Sequence, residues 1–258
     1  MTALRLDLEW RTTLLVFLLF PALIMLGFWQ LDRADEKREI ARLSEERLVK
    51  APVALSALQD LSAEEYASRS VRLEGFFEPQ TSLFTDNQIR DGRYGHDAFG
   101  VFLDERSGLY VLINRGWVAG DSARRSLPEL EIPTQRLSID GTVYVPPGDP
   151  YLLEAERFDD LDFPLLVQSM DSPAIRQALE GEFDGSFFPH EVRLLPDQAH
   201  GFRRDWPVIN VSPQKHQGYA LQWFTMAAAL LIFFVLRSSN ILAVLRGQSS
   251  TDELSDQE

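Results

Sequence analysis

Two long apolar runs, one near each end of the chain, dominate the pattern of hydrophobic and polar positions. The first covers residues 12–29 (TTLLVFLLFPALIMLGFW) and the second covers residues 218–236 (GYALQWFTMAAALLIFFVL), and neither contains a charged side chain. About 20 residues at about 1.5 Å each cross the ~30 Å hydrocarbon core of a bilayer. A surface helix would instead carry polar residues at helical spacing. Both runs therefore predict transmembrane helices rather than helices buried in a soluble core.

The ends of the first run decide between a membrane anchor and a cleaved signal peptide. The run follows a basic stretch, as in a signal peptide, but it is longer than the usual ~7–15 apolar residues. It also ends in the bulky sequence GFWQ, without a cleavage site of small residues. We therefore predict an uncleaved transmembrane helix at residues 12–30 and a second one at residues 218–236.

The distribution of basic residues favours cytoplasmic termini. Both short tails, residues 1–11 and 237–258, carry arginine, and short tails count most in the positive-inside rule. Basic residues also follow the first span, but long domains are translocated largely regardless of charge. We expect a central domain at residues 31–217 outside the cytoplasm, and a cytoplasmic C-terminal tail that is partly disordered.

Between the spans the pattern changes from one charged helix to short strands. Residues 31–50 are rich in charge and free of glycine and proline, which predicts a solvated helix that ends before Pro52. Four segments with β-branched or aromatic residues, bounded by turn formers, predict strands; they cover residues 70–79, 96–104, 108–118 and 135–148. The predicted fold class is α+β, with two transmembrane helices flanking an antiparallel β-rich extracytoplasmic domain, for which barrel-like closure is one option.

Short elements elsewhere in the domain are predicted from their caps. Ser62, with Glu65 three residues later, fits a capping box at the start of a helix. Residues 172–181 begin with serine and proline, which suit a helix start, and Gly181 is expected just past its end. The sequences EVRLLP and WPVINV predict strands that return the chain to the second span.

Charge and composition exclude several classes of function. The formal net charge is −14, which argues against a nucleic-acid partner because such proteins present a basic face. The chain has no cysteine, which removes covalent haem attachment, a CxxC redox pair and a thiolate copper site. No hydrolase or nucleotide-binding motif occurs. We therefore expect a protein that is not an enzyme.

His216 raises the question of whether the chain binds a cofactor. Helical spacing places it on one face with Tyr219 and Trp223, at the start of the second span. An imidazole there can ligate haem iron while the macrocycle lies against apolar and aromatic side chains. The alternative is a residue of an aromatic belt, since Trp and Tyr gather at the membrane boundary in any case. Trp29, at the end of the first span, admits the same two interpretations.

Other residues near this boundary are candidates for the same site. Gln30 lies at the boundary, and Gln222 lies about one turn inside the second span, where an unsatisfied amide is costly. Gln222 is therefore expected to face the other helix or a site. Gly27 permits a close helix approach. Arg33 can hold an acidic group such as a haem propionate, although contact with lipid headgroups is the simpler interpretation.

The sequence NRGW at residues 114–117 ends a predicted strand. Asn114 and Gly116 suit a bulge or tight turn, and Arg115 can pair with a carboxylate. A structural corner that also includes Trp117 is the simpler interpretation. The three other histidines lack the spacing of a metal site.

Several of these segments, in this order between two terminal spans, resemble the surfeit locus protein 1 family of cytochrome oxidase assembly factors. They are GFWQLDRADEK, VRLEGFF, GVFLDERSGLYVLINRGWV, VPPG and HQGYALQWFTMAAAL. The first is similar to the family's G-x-W-Q-x-x-R-x-x-x-K, and the last to the opening of its second span. The segment EPQTSLFTDNQIRDGRYGHDAF departs from the family's usual G-Y-x-V-x-T-P stretch, so a surface there that meets the oxidase would differ in this chain.

The resemblance implies a location and a function beyond what spacing shows. Family members lie in the bacterial or mitochondrial inner membrane with the domain on the outer side, which here means a periplasmic domain. They help to assemble haem–copper oxidases, and the second-span histidine, here His216, is the proposed ligand of haem a. The implied partners are oxidase subunit I, haem a synthase and the lipid bilayer. A scaffold that stabilises subunit I without binding haem is the alternative.

The resemblance also implies roles for individual residues. The pocket candidates beside the histidine are Trp29, Gln30, Arg33, Tyr219, Gln222 and Trp223. The corner formed by Arg115, Gly116 and Trp117 is then a structural or partner-docking element.

Overall fold

A computed structural model describes residues 5–146, 148, 157–158, 160–206 and 212–245, the last range without the side chains of residues 243 and 245. The chain divides into two compact units. The first consists of Met1–Ala41 and Val208–Glu258, and the second is Arg42–Pro207. The strand predicted in WPVINV and the disordered tail fall mostly or wholly outside the described residues.

Long helices form the first unit. Helix α1 covers Trp10–Leu48, α4 covers Pro213–Ser238, and the short α5 covers Ile241–Leu245. By length and composition, α1 and α4 can each cross a membrane. Helix α1 runs through the charged segment, as predicted, because that segment lacks helix breakers up to Leu48.

Helical spacing gives α1 and α4 one buried face each. Positions 23, 27 and 34 are buried on α1, and positions 220 and 227 are buried on α4. The steps of four and seven residues return to the same face of a helix. All of these residues except Leu23 are small, so the buried face of each helix carries mostly small side chains.

The Phe224 ring occupies the space that Gly27 leaves open. A Cβ atom at position 27 would lie 2.5 Å from Cε1 of this ring. Phe28 contacts the same ring edge-on, with 5.4 Å between the centroids. Gly27 therefore makes room for the Phe224 ring, and the expected close approach of the two helix backbones stays a prediction.

The two ends of the first unit are joined by backbone hydrogen bonds. Leu6 forms an antiparallel bridge with Ser239. The amide of Asp7 donates to the carbonyl of Ser238 over 2.9 Å, and the amide of Arg5 donates to the Asn240 side chain over 2.7 Å. The N-terminal end of α1 and the C-terminal end of α4 are therefore adjacent.

A seven-stranded sheet forms the second unit. Its strands are β1 (Val53–Ala54), β2 (Ser70–Thr85), β3 (Gly95–Asp104), β4 (Leu109–Ala119), β5 (Leu137–Tyr144), β6 (Leu165–Val167) and β7 (Glu191–Leu194). The order is β1-β2-β3-β4-β7-β5, with β6 beside β2 and a further pairing between β2 and β5. The predicted β3–β4 hairpin is confirmed, with Gly108 at φ +70° in its turn.

The sheet is mixed, so the prediction of a purely antiparallel sheet is wrong. Strand β2 runs parallel to β1 and β6, and β4 runs parallel to β7. The pairing of β2 with β5 joins two strands that are far apart in the sheet order. However, β4 and β7 pair through only two residues each. A continuous barrel wall is not formed, and the unit is a mixed sheet around a core.

Gly75 lies where β2 changes its neighbours. It pairs with Leu137 of β5 on one side and with Asp104 of β3 on the other. A Cβ atom at this position would lie 1.9 Å from the carbonyl oxygen of Leu103. Only glycine lets three strands approach this closely.

Two groups of apolar side chains pack against the sheet. One contains Phe77, Phe102 and Ile113, and the other includes Ile175 and Leu179 of helix α3 (Pro173–Phe183). Strand β4 is buried on both faces from Val111 to Trp117, which fits the apolar run that precedes Asn114.

The short helices largely match their predicted caps. Helix α2 (Ala63–Tyr66) has its capping box, in which the Ser62 amide donates to the Glu65 carboxylate over 2.8 Å. Helix α3 (Pro173–Phe183) starts as predicted but does not stop before Gly181. It ends two residues later, where Asp184 adopts the left-handed conformation at φ 45°. Aspartate can take this role of glycine because its short polar side chain tolerates that conformation.

Candidate functional site

The structure brings two of the predicted site residues together in the first unit. His216 lies in the first turn of α4, and its Nδ1 atom is 2.8 Å from Oε1 of Gln30 on α1. Both side chains are half-buried. Gln30 follows Gly27 by three residues, and His216 precedes Ala220 by four, so both lie beside the buried faces of their helices.

The hydrogen bond determines where the proton of the imidazole is held. A side-chain carbonyl oxygen only accepts, so Nδ1–H of His216 donates to Oε1 of Gln30. In the neutral ring the other nitrogen, Nε2, then carries a free lone pair. Nε2 is buried and has no hydrogen-bond partner among the described residues. A buried nitrogen with a free lone pair is well suited to ligate a metal ion such as haem iron.

Three of the predicted site residues are aromatic and lie within seven positions of this pair along the two helices. Trp223 is half-buried, while Trp29 and Tyr219 are 53% and 44% exposed. The exposed rings present large flat surfaces that no other described side chain covers fully. They suit either a flat ligand or the lipid boundary, so the structure leaves both interpretations of these residues open.

Arg33 and Gln222 are not in contact with the histidine among the described residues. Arg33 forms an ion pair with Glu36 on its own helix at 2.5 Å, and both side chains are nearly half exposed. Gln222 is exposed, so it does not face the other helix, and its place in a site stays a prediction. Its position is two residues beyond Ala220, about 200° around α4 from the buried face, at about 100° per residue.

The NRGW sequence forms a bulge in β4. Ala98 pairs with Gly116 and Phe99 with Asn114, so Arg115 is the additional residue. The Asn114 side chain accepts from the Gly116 amide over 3.1 Å. Gly116 has φ 110°, and a Cβ atom there would lie 2.6 Å from the Arg203 carbonyl oxygen.

Backbone and side-chain bonds fix the corner that follows this bulge. The Trp117 indole donates to the Gln88 carbonyl over 2.7 Å, and its amide donates to the Arg203 carbonyl over the same distance. All of these contacts hold the corner itself, which supports the structural interpretation of Arg115, Gly116 and Trp117.

Arg115 is an internal guanidinium that is paired with carbonyl groups. Only 2% of the residue is exposed. It donates to the backbone carbonyls of His200 (2.8 Å) and Glu131 (3.0 Å), and it lies over the rings of Phe77 and Phe202. Burial lowers the pKa of Arg115 to about 10, so the side chain stays charged at neutral pH. A charge whose folded-state pKa is lowered in this way opposes folding below that pKa, and the carbonyls and rings offset the cost.

We expect Arg115→Ala to lower the free energy of unfolding by about 3 kcal/mol, because it leaves a cavity and removes the donor from two backbone carbonyls. Denaturation of the full-length protein in detergent micelles, followed by tryptophan fluorescence, measures the change. The matched control is Arg125→Ala, whose side chain is 81% exposed and only loosely paired with Asp121. We expect the control to change stability by less than about 0.5 kcal/mol. Equal stability of the two variants would show that Arg115 does not support the corner.

Two contacts of the candidate site have no signal in the sequence. The Gln30–His216 bond joins residues 186 positions apart, and it depends on the rotation of both helices about their axes. The Phe224 ring against Gly27 depends on the same rotation. Spacing alone placed Gln30 and His216 at the boundary, without indicating that they meet.

Comparison with known proteins gives matches over most of the chain. The model of the SURF1 family matches residues 17–228. A SURF1-like protein from Rickettsia felis is 23% identical over 252 residues, covering 91% of this chain and all of that protein. A SURF1-like protein from Rickettsia conorii is 24% identical over 251 residues, covering 91% of this chain and 94% of that protein.

A shorter match is found in yeast. The cytochrome oxidase assembly protein SHY1 of Saccharomyces cerevisiae is 30% identical over 115 residues. This match covers 43% of the present chain and 29% of the yeast protein.

Proposed function

The chain belongs to the SURF1 family, and on that premise we propose that it assists the assembly of a haem–copper cytochrome oxidase by binding haem a through His216. The name of the yeast relative, a cytochrome oxidase assembly protein, supports the assembly role. The buried and unpartnered Nε2 of His216 is the single observation that carries the haem-binding role. The protein is an assembly factor, or chaperone, and not an enzyme.

The residue types near His216 are ones that can hold a haem group. Nε2 would supply the nitrogen that holds the iron, and the hydrogen bond from Nδ1 to Gln30 would orient the ring. Trp223 is half-buried seven residues further along α4, and Trp29 and Tyr219 present exposed aromatic surface that can cover a macrocycle. When bound, haem a supplies the redox-active iron that the oxidase requires.

Arg33 is the candidate for holding a haem propionate. Its present partner, Glu36, is three residues away on the same helix, and both side chains are largely solvated. Exposed pairs of this kind contribute little, about 0–1 kcal/mol. A propionate can therefore replace the glutamate at small cost, and Arg33 offers two parallel donors to it.

The proposed location is the bacterial inner (plasma) membrane, in which α1 and α4 are the two spans. Both have the length and composition to cross a bilayer, and the bonds between Arg5–Asp7 and Ser238–Asn240 suit termini on one side. The sheet unit is then periplasmic. Subunit I of the oxidase is the proposed recipient of haem a, and haem a synthase is the proposed donor.

The proposal is tested by the visible spectrum of the full-length protein purified from cells that make haem a. We expect a haem a band in the purified protein. The control is the same protein from cells unable to make haem a, to which haem a is then added. Absence of haem a in both preparations would remove the haem-binding role and favour a scaffold that stabilises subunit I.

The assembly role has a separate readout. Deleting the gene is expected to reduce the amount of haem a in the membrane-bound oxidase, and restoring the gene is expected to recover it. Full oxidase content in the deletion strain would contradict the assembly role, whatever the purified protein binds.

A further inference from the structure

We propose that Gln30 is a positioning residue that holds His216 in one tautomer, protonated at Nδ1, and so keeps Nε2 free. The use of Nε2 for haem iron rests on the proposed function, whereas the tautomer itself does not. The two statements therefore have separate tests.

The geometry gives the tautomer directly. The 2.8 Å contact joins Nδ1 of His216 to the carbonyl oxygen Oε1 of Gln30, and this oxygen has lone pairs but no proton. The contact is a hydrogen bond only when the proton is on Nδ1. A proton on Nε2 would instead place a buried N–H without an acceptor among the described residues, which is unfavourable.

The position of Gln30 makes this control effective. It reaches His216 from a different helix and from the face that carries Gly27 and Ala34, both buried. The bond thus fixes both the tautomer and the rotation of the ring. Groups that hold the second nitrogen of a ligating histidine orient the ring and raise its basicity, and their loss typically weakens metal binding by about 10–100-fold.

The neutral amide also sets the strength of the ligand. A carboxylate at position 30 would accept a stronger, charge-assisted hydrogen bond from Nδ1–H and would make Nε2 a stronger donor to ferric iron. A glutamine orients the ring without this added basicity. We infer that Gln30 keeps haem binding strong enough to hold the group and weak enough to pass it on.

Nitrogen NMR of the haem-free protein tests the tautomer. The full-length protein, labelled with 15N-histidine and made in cells that lack haem a, is placed in lipid nanodiscs, and the His216 signals are identified by their loss in His216→Ala. We expect a protonated Nδ1 and a bare Nε2 in the wild type. Gln30→Leu should lose this preference, and Gln30→Glu, which keeps an acceptor, should retain it.

The matched control is Gln222→Leu, the same substitution at an exposed glutamine of α4. It should leave the His216 signals unchanged, which separates the loss of the bond from a general effect of removing an amide. A wild-type signal with the proton on Nε2, or a Gln30→Leu signal identical to the wild type, would overturn the assignment of Gln30.

Titration with ferric haem a tests how strongly His216 holds the iron. We expect Gln30→Leu to bind about 10–100-fold more weakly. Gln30→Glu should bind more tightly, lower the midpoint potential, and release haem a more slowly to apomyoglobin. If Gln30→Glu released haem a as fast as wild type, the inferred tuning would be wrong. If no form bound haem a while the tautomer followed Gln30, the proposed function would fail and the positioning role would stand.

Discussion

We expect His216→Ala to lower the affinity for haem a by more than about a hundredfold. On the proposed function the change removes the nitrogen that would hold the iron, whereas the loss of a supporting hydrogen bond alone typically costs about 10–100-fold. No neighbouring group replaces it, because the partner of His216 is a glutamine, which is not one of the usual axial ligands of haem iron. Titration of the purified, haem-free protein with haem a, followed by its visible spectrum, measures the affinity.

The matched control is His200→Asn. His200 is an exposed residue with φ 63°, and asparagine tolerates this left-handed conformation. We expect this variant to bind haem a like the wild type. If His216→Ala bound as tightly as His200→Asn, the iron ligand would lie elsewhere in the chain. Far-ultraviolet circular dichroism should show the same helix content in both variants, so that a loss of affinity is not a loss of fold.

The second large effect is expected at Gly75, where Gly75→Ala should lower the free energy of unfolding by about 3 kcal/mol or more. The added Cβ would lie 1.9 Å from the Leu103 carbonyl oxygen, a distance that requires the backbone to move. Strand β2 is paired on both sides at this point, so relief on one side disturbs the other. Denaturant unfolding of the full-length protein measures the change.

Gly181→Ala is the control for this substitution. It lies in helix α3, with no atom within 4 Å of an added Cβ and without a positive φ. Alanine is favoured over glycine inside a helix by about 1 kcal/mol, so we expect equal or greater stability. Similar losses in the two variants would indicate that the crowding at Gly75 is not what limits substitution.

The parts of the fold that depend on neighbouring residues were predictable. The charged stretch up to Leu48 is helical because it lacks glycine and proline, and the capping box at Ser62 needs only a glutamate three residues away. The hairpin at Gly108 follows from a turn former between two apolar runs. Each of these features depends on residues that are close to it in the sequence.

The parts that depend on distant partners were not predictable. The parallel pairing of β4 with β7 joins residues nearly 80 positions apart, and turn signals carry no information about it. Strand β2 was also predicted too short. It continues through the polar sequence EPQTS to Thr85, because an irregularity between Phe77 and Ser82 shifts its register against β3.

The candidate site shows the same division. Composition indicates which residues lie near the ends of the two apolar runs, but the rotation of each helix decides which of them meet. That rotation brings Gln30 to His216 and turns Gln222 outward, although both glutamines were candidates for inward positions. The sequence of one helix does not determine this rotation, because the rotation depends on the helix that packs against it.

The bond between Gln30 and His216 also has a consequence for biosynthesis. One residue is among the first to leave the ribosome, and the other follows only after the whole sheet unit has been translated. The backbone bonds of Leu6 with Ser239 close the same helix pair even later. An incompletely translated chain that ends before α4 therefore lacks His216, so on the proposed function such a fragment has no residue to hold haem a.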